Sequence, residues 1–147
     1  PPYGSGLVEA HQDGEGVFHI IGEAPHGHYT HRRRLAFQPG SELSIVDRLE
    51  FEDETDHASA WFNLSGDLDV RVVGEGLEVL IPGSPEVIRV SSTGAITDLV
   101  RGQEEPLRGW RSRQAGTLDP TWSVGFRTET TGRASVEIVT TLTITPG

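Results

Sequence analysis

The residues with most chemical potential in this chain are its histidines and arginines, and both are bunched. All six histidines, His11, His19, His26, His28, His31 and His57, fall in the first part of the 147-residue sequence. In His26-Gly27-His28 a one-residue gap would put both imidazoles on one face of a strand, where they could chelate a metal ion. Pro25 and Gly27 argue against a regular strand there, and the plainer reading is a surface loop with solvated imidazoles. His11, within Glu9-Ala10-His11-Gln12-Asp13, offers one metal ligand where a site needs three or four. The arginines form two groups: Arg32, Arg33 and Arg34 with Arg48, and Arg101, Arg108, Arg111 and Arg113. Three in a row put charge on both faces of one strand, so at least one must meet a carboxylate or an anionic ligand. Two readings stay open. The arginines pair internally with acids such as Asp47 or Glu50, or they bind an acidic ligand locally. Arg34, beside Leu35 and Phe37, is expected to be paired structurally. Arg32 and Arg33 are the candidates for substrate binding.

Other catalytic patterns fail. There is no Gly-x-Ser-x-Gly elbow, no His-Glu-x-x-His and no Walker loop. Gly14-Glu15-Gly16 and Gly74-Glu75-Gly76 read as turns, since neither precedes a helix and each carries a carboxylate. The many acids could supply a glycosidase pair, but no spacing in the sequence reveals one. Trp61, Trp110 and Trp122 are either core aromatics or sugar-stacking platforms.

The elements that must position these residues are strands. The segment 31–49 reads as strand, Pro39-Gly40 turn and strand, the two strands running from Tyr29 to Phe37 and from Glu42 to Glu50. Pro presets φ and Gly supplies the positive φ that a tight turn requires. Arg32, Arg34 and Ala36 alternate with Arg33, Leu35 and Phe37. After the turn, Leu43, Ile45 and Leu49 face a core while Ser44, Val46 and Arg48 point away. Further candidates are Leu7–Ala10, Val17–Ile21, His57–Leu64, Val70–Val73, Leu77–Ile81, Val87–Ser91, Ile96–Arg101, Gly109–Arg113, Trp122–Arg127 and Ser135–Thr145. Glu23–His28 reads as a loop. The last strand carries Val136, Ile138, Thr140, Leu142 and Ile144 on one face, and its length suggests a central position. Segments at ~8–12-residue spacing with turn signals between them are the pattern of a sandwich. The expected fold is therefore all-β, an antiparallel two-sheet β-sandwich of about 10–12 strands with little or no helix. It forms a single domain over residues 1–147, as the length allows.

Composition narrows the function. The net charge of −10 disfavours non-specific nucleic-acid binding, which needs a basic surface. The absence of cysteine excludes disulfides, thiolate ligands and cysteine nucleophiles. No apolar run approaches the ~20 residues of a membrane helix. No nucleic acid and no membrane are therefore expected as partners. The chain opens at Pro1-Pro2 without a Met, and it is read as a processed product or an excised domain.

The order of motifs resembles a known family. A histidine near an acidic turn precedes His31-Arg32-Arg33, an aromatic with Pro-Gly, and Ile45-Val46-Asp47-Arg48-Leu49. Then come His57, Trp61-Phe62-Asn63-Leu64, Gly109-Trp110-Arg111-Ser112 and a threonine-rich last strand ending at Pro146. From about Val8 to Pro146 this is similar to the C-terminal β-sheet region of heparinase II/III-like polysaccharide lyases. The resemblance implies a longer enzyme whose N-terminal α/α toroid supplies most of the cleft, and a periplasmic or secreted location. It implies β-elimination of acidic, uronate-containing polysaccharides, in which a base removes the C5 proton. It also implies zinc in the full-length protein, with His11 resembling the last structural ligand. No firm zinc binding is expected of this fragment. The family's tyrosine, asparagine and His-Asn pair have no counterpart here, so no catalytic residue is assigned and the chain alone is expected to be inactive. Its expected role is to support a cleft and present arginines. A stand-alone carbohydrate-binding module and a purely structural domain are the alternatives.

Overall fold

A computed structural model of the chain describes residues 5–146; Pro1 and Pro2 lie outside the described residues. It contains thirteen strands and no helix among those residues. In chain order they are β1 (Gly6–Gln12), β2 (Phe18–Pro25), β3 (Tyr29–Gln38), β4 (Glu42–Phe51), β5 (His57–Leu64), β6 (Asp69–Val73) and β7 (Gly76–Leu80). There follow β8 (Glu86–Ser92), β9 (Ala95–Arg101), β10 (Trp110–Arg111), β11 (Asp119–Pro120), β12 (Trp122–Glu129) and β13 (Ser135–Pro146). An eight-stranded sheet has the order β1-β2-β3-β4-β13-β8-β7-β6, and a three-stranded sheet has the order β5-β12-β9. β10 and β11 form a two-stranded ribbon. The architecture is the expected antiparallel β-sandwich, and the strand number exceeds the expectation only through the two-residue ribbon strands.

Local chemistry explains the elements. Gly40 has φ +75° in the turn between β3 and β4, the left-handed region that a Cβ disfavours. The hairpin it closes pairs Gln38 with Glu42 and continues to Tyr29 opposite Phe51. β13 lies between β4 and β8, central as its long alternation requires. β2 runs four residues past the expected end at Ile21 and carries Pro25, which sits opposite Thr30. Proline is tolerated because the β1 ladder has already stopped at Glu23, so no neighbour there needs its missing N–H.

Register defines the faces. Leu43, Ile45, Asp47, Leu49 and Phe51 of β4 share one side with Phe37, Leu35, Arg33, His31 and Tyr29 of β3. The same side continues through Phe18 and Ile20 of β2, and through Val136, Ile138, Thr140 and Leu142 of β13. The three-stranded sheet packs against this inner face. Leu49, Val136, Ile138, Val90, Leu77, Val79 and Val70 of the large sheet form one core with Ala60, Val124 and Phe126 of the small one. Three strands do not cover eight. The core reaches from β4 to β6, while Phe18, Ile20 and Phe37 on the β2–β3 flank keep about 40 % of their surface open, at 40 %, 41 % and 42 %.

Candidate functional site

The densest group of charged chemistry lies where covered and uncovered parts of the inner face meet. Asp47 is 1 % exposed. Arg33 Nε donates to its Oδ1 at 2.7 Å and Arg33 Nη2 to its Oδ2 at 3.2 Å. His31 Nε2 lies 2.6 Å from Oδ1. Parity places all three on one face, and antiparallel pairing puts Arg33 directly opposite Asp47 and His31 opposite Leu49. Burial alone would raise the Asp47 pKa, but the hydrogen bonds from His31 and Arg33 and their charges outweigh it, and the carboxyl is held below its ordinary value. The Arg33 guanidinium also lies 4.8 Å from the centroid of Phe62, across the sandwich on β5. The cluster joins β3 to β4, touches the small sheet through that one contact, and leaves His31 with 29 % of its side chain open. Chemically, a buried carboxylate on Nε2 orients the ring.

The remaining arginines divide by face. Arg32 is on the outer face, 3.7 Å from Glu23 and 44 % exposed, a weak and solvated pair. Arg48 sits beside it, 3.1 Å from Glu50 and 3.5 Å from Glu137, and its pKa is raised, chiefly by the Glu50 hydrogen bond. Arg34 makes no ion pair among the described residues. Internal pairing thus holds for Arg33, where both readings stood open, and not for Arg34, where it was expected. The physical reason is alternation: Arg34 adjoins Leu35 in sequence, but Arg33 shares the inward face with Leu35 and Phe37. Of the two proposed substrate-binding arginines, Arg33 is occupied by Asp47 and Arg32 stands open.

The histidines do not converge. His11 Nδ1 is 3.0 Å from Glu9 Oε1, and its ring stacks on His19 with centroids 4.9 Å apart. His19 Nε2 is 2.8 Å from Asp13 Oδ2. That bond is the main cause of the lowered Asp13 pKa, with the backbone N–H groups of Val17 and Glu15 adding to it. Among the described residues no three His, Asp or Glu side chains are placed to hold a metal ion. His11 supplies one ligand at most, so the described residues do not by themselves fit a zinc site. His26 stacks on Tyr29 at 4.7 Å, and His28 pairs with Asp53 at 2.9 Å in the open.

The tryptophans have separate roles. Trp122 Nε1 donates to the Leu68 carbonyl at 2.9 Å, and the ring packs against the core. Trp61 lies flat over Gly125, where a Cβ would stand 2.8 Å from the ring. The Arg108 guanidinium covers it, 4.5 Å from the ring, held in place by Asp98 at 2.6 Å. The ring nevertheless keeps 39 % of its surface open. Trp110 Nε1 donates to the Gln103 carbonyl at 2.7 Å and lines an open indentation with Arg111.

Solved heparinase and heparan sulfate lyase structures contain a domain of the same fold. Heparinase III matches with a TM-score of 0.73 and 14 % identity over 97 % of this chain and 21 % of that chain. The heparan sulfate lyase HepC from Pedobacter heparinus matches with a TM-score of 0.73 and 9 % identity over 97 % of this chain and 22 % of that chain. A second heparinase III gene product gives a TM-score of 0.72 and 14 % identity over 97 % and 22 %. The chain spans about a fifth of the length of these structures. At such identities the match establishes the fold, which is the one that the sequence motifs implied. No family model matches the sequence, and no curated protein does.

Proposed function

We propose that this chain is the C-terminal β-sandwich of a heparinase II/III-like polysaccharide lyase, one that degrades uronate-containing polysaccharides by β-elimination. In this reading it is an accessory domain that backs a cleft formed mainly by an N-terminal α/α toroid, and it is inactive alone. The observation that carries the reading is the uncovered inner face over β1–β3. Phe18 and Phe37 stack there, with centroids 6.5 Å apart, beside the half-open Ile20. A continuous apolar strip on the core side of a sheet is the mark of a surface that another domain covers. It adjoins the His31–Arg33–Asp47 cluster, whose open imidazole would border the cleft. The fold shared with heparin-degrading lyases supports the same reading. Zinc belongs to it only with ligands from elsewhere in a longer protein, His11 contributing one. The stand-alone binding module is the second reading, favoured by the indentation at Trp110.

The test is direct. The purified chain, incubated with heparan sulfate between about pH 6 and pH 9, the range in which a base near neutrality would work, should form no unsaturated uronide by ultraviolet absorbance. It should bind a hydrophobic dye, and a Phe18→Glu/Phe37→Glu variant should lose that binding while keeping its fold. Turnover by the chain that disappears in His11→Ala would overturn the reading, as would dye binding that the double variant leaves intact.

A further inference from the structure

We propose that the indentation between the end of β5 and the ribbon strand β10 binds one anionic pyranose unit, carboxylated or sulfated. It encloses about 290 Å³ and is lined by Asn63, Leu64, Ser65, Trp110, Arg111 and Thr121. Ligand pockets begin at about 300 Å³, so the space suits a single ring and not an oligosaccharide. None of its residues belongs to the β1–β4 part of the large sheet, and the proposal holds whether the chain serves a lyase or a separate binding module.

Polar side chains line this space, and its arginine is free of carboxylates. Arg111 is exposed and makes neither an ion pair nor a side-chain hydrogen bond among the described residues. Arg33, Arg71, Arg108 and Arg113 all face carboxylates. Thr121, 4 % exposed, lines the same space. The exposed Asn63 amide makes no side-chain hydrogen bond among the described residues. The nearby acids are already faced by a cation: Arg113 lies 3.7 Å from Asp67 and 3.6 Å from Asp119.

The indole supplies the wall. Its Nε1–H is committed to the Gln103 carbonyl. Its six-membered ring lies against Gly102, where a Cβ would stand 3.4 Å from Cζ2. The ring is thus held without help from a ligand. An aromatic face takes the C–H side of a sugar, a guanidinium takes a carboxylate or sulfate in bidentate fashion, and an amide with a hydroxyl takes the ring hydroxyls. A neutral sugar would leave Arg111 without its partner, and a bare anion would make no use of the indole.

The experiment titrates the isotope-labelled chain with a glucuronate-containing disaccharide, with a sulfated heparin-derived disaccharide and with neutral cellobiose, read by amide and indole chemical shifts. Saturable shifts are expected at the Trp110 indole N–H and the Asn63 side-chain amide with one or both acidic sugars. Cellobiose should bind roughly tenfold more weakly or not at all, the loss of one charge-assisted contact. Arg111→Gln should weaken acidic-sugar binding by at least roughly tenfold, Arg111→Lys by less, and Arg133→Gln, in the turn after β12, not at all. Amide dispersion in each variant verifies that it is folded. Absence of saturation at these positions, equal binding of cellobiose, or shifts that Arg111→Gln leaves unchanged would each overturn the proposal.

Discussion

Removing the Arg33 guanidinium should destabilise the protein by about 3 kcal/mol, and the structure supplies the reasons. Deleting one member of a buried pair costs roughly 3–5 kcal/mol, because the other charge remains without compensation. Asp47 qualifies, being 1 % exposed. Arg33 itself is 32 % exposed, so water reaches part of the site in Arg33→Ala, and His31 still holds one carboxylate oxygen at 2.6 Å. Both effects move the cost toward the lower end. Loss of the contact with Phe62 adds about 0.5–1 kcal/mol to the cost. For a chain of this size the total corresponds to roughly 6–12 °C in Tm, measurable by urea and thermal unfolding. The variant also has a pH signature. The folded pKa of Asp47 is depressed, so its contribution is complete above the unfolded-state value of about 3.9 and is lost as pH falls through the folded value. Without Arg33, burial is less opposed, the carboxyl titrates at higher pH, and acid unfolding begins earlier. A double-mutant cycle with Asp47→Asn isolates the pair: a coupling of at least about 1 kcal/mol is expected. A loss below about 0.5 kcal/mol for Arg33→Ala, or a cycle with no coupling, would refute the assignment of this pair as a buried clasp between β3 and β4.

Two further outcomes follow from single contacts. Arg32→Ala should change Tm by almost nothing, since its pair with Glu23 spans 3.7 Å between half-open side chains and exposed pairs contribute about 0.2–1 kcal/mol; heparin-column retention at low and high salt then reports directly whether that arginine touches glycan. Gly125→Ala should cost about 1–3 kcal/mol by overpacking, because the new methyl would stand 2.8 Å from the Trp61 ring; thermal unfolding together with a changed Trp61 environment in near-ultraviolet dichroism checks it.

Much of this was legible in the residues. The period-two alternation located β3, β4, β5 and β13 within about a residue and put Leu43, Ile45 and Leu49 inward, because side-chain direction in a strand depends on parity alone. The same parity places Asp47 inward with them. That was the available signal for the clasp: an acid on a core face, one strand from an arginine of matching parity. Weighing sequence neighbours in place of alternation pointed to Arg34. The continuation of β2 through Pro25 was not legible, since it depends on where β1 stops pairing. The indentation at Trp110 was not legible either. It joins residues 63–65 to 110, 111 and 121, and no local pattern reports a non-local meeting of that kind.

The strand order has a consequence for biosynthesis. The centre of the small sheet is β12 and the strand joining β4 to β8 is β13, so both sheets are completed by the two strands that leave the ribosome after all the others. Until then a nascent chain carries a four-stranded meander, β1 to β4, and a separate trio, β6 to β8, with the edges of β4, β5, β8 and β9 unpaired. Unpaired edges recruit strands from other chains, and long-range pairing is slow to form. Folding yield in the cell should therefore respond to substitutions in β12 and β13 far more than to equally destabilising ones in the β3–β4 hairpin, whose partners emerge together.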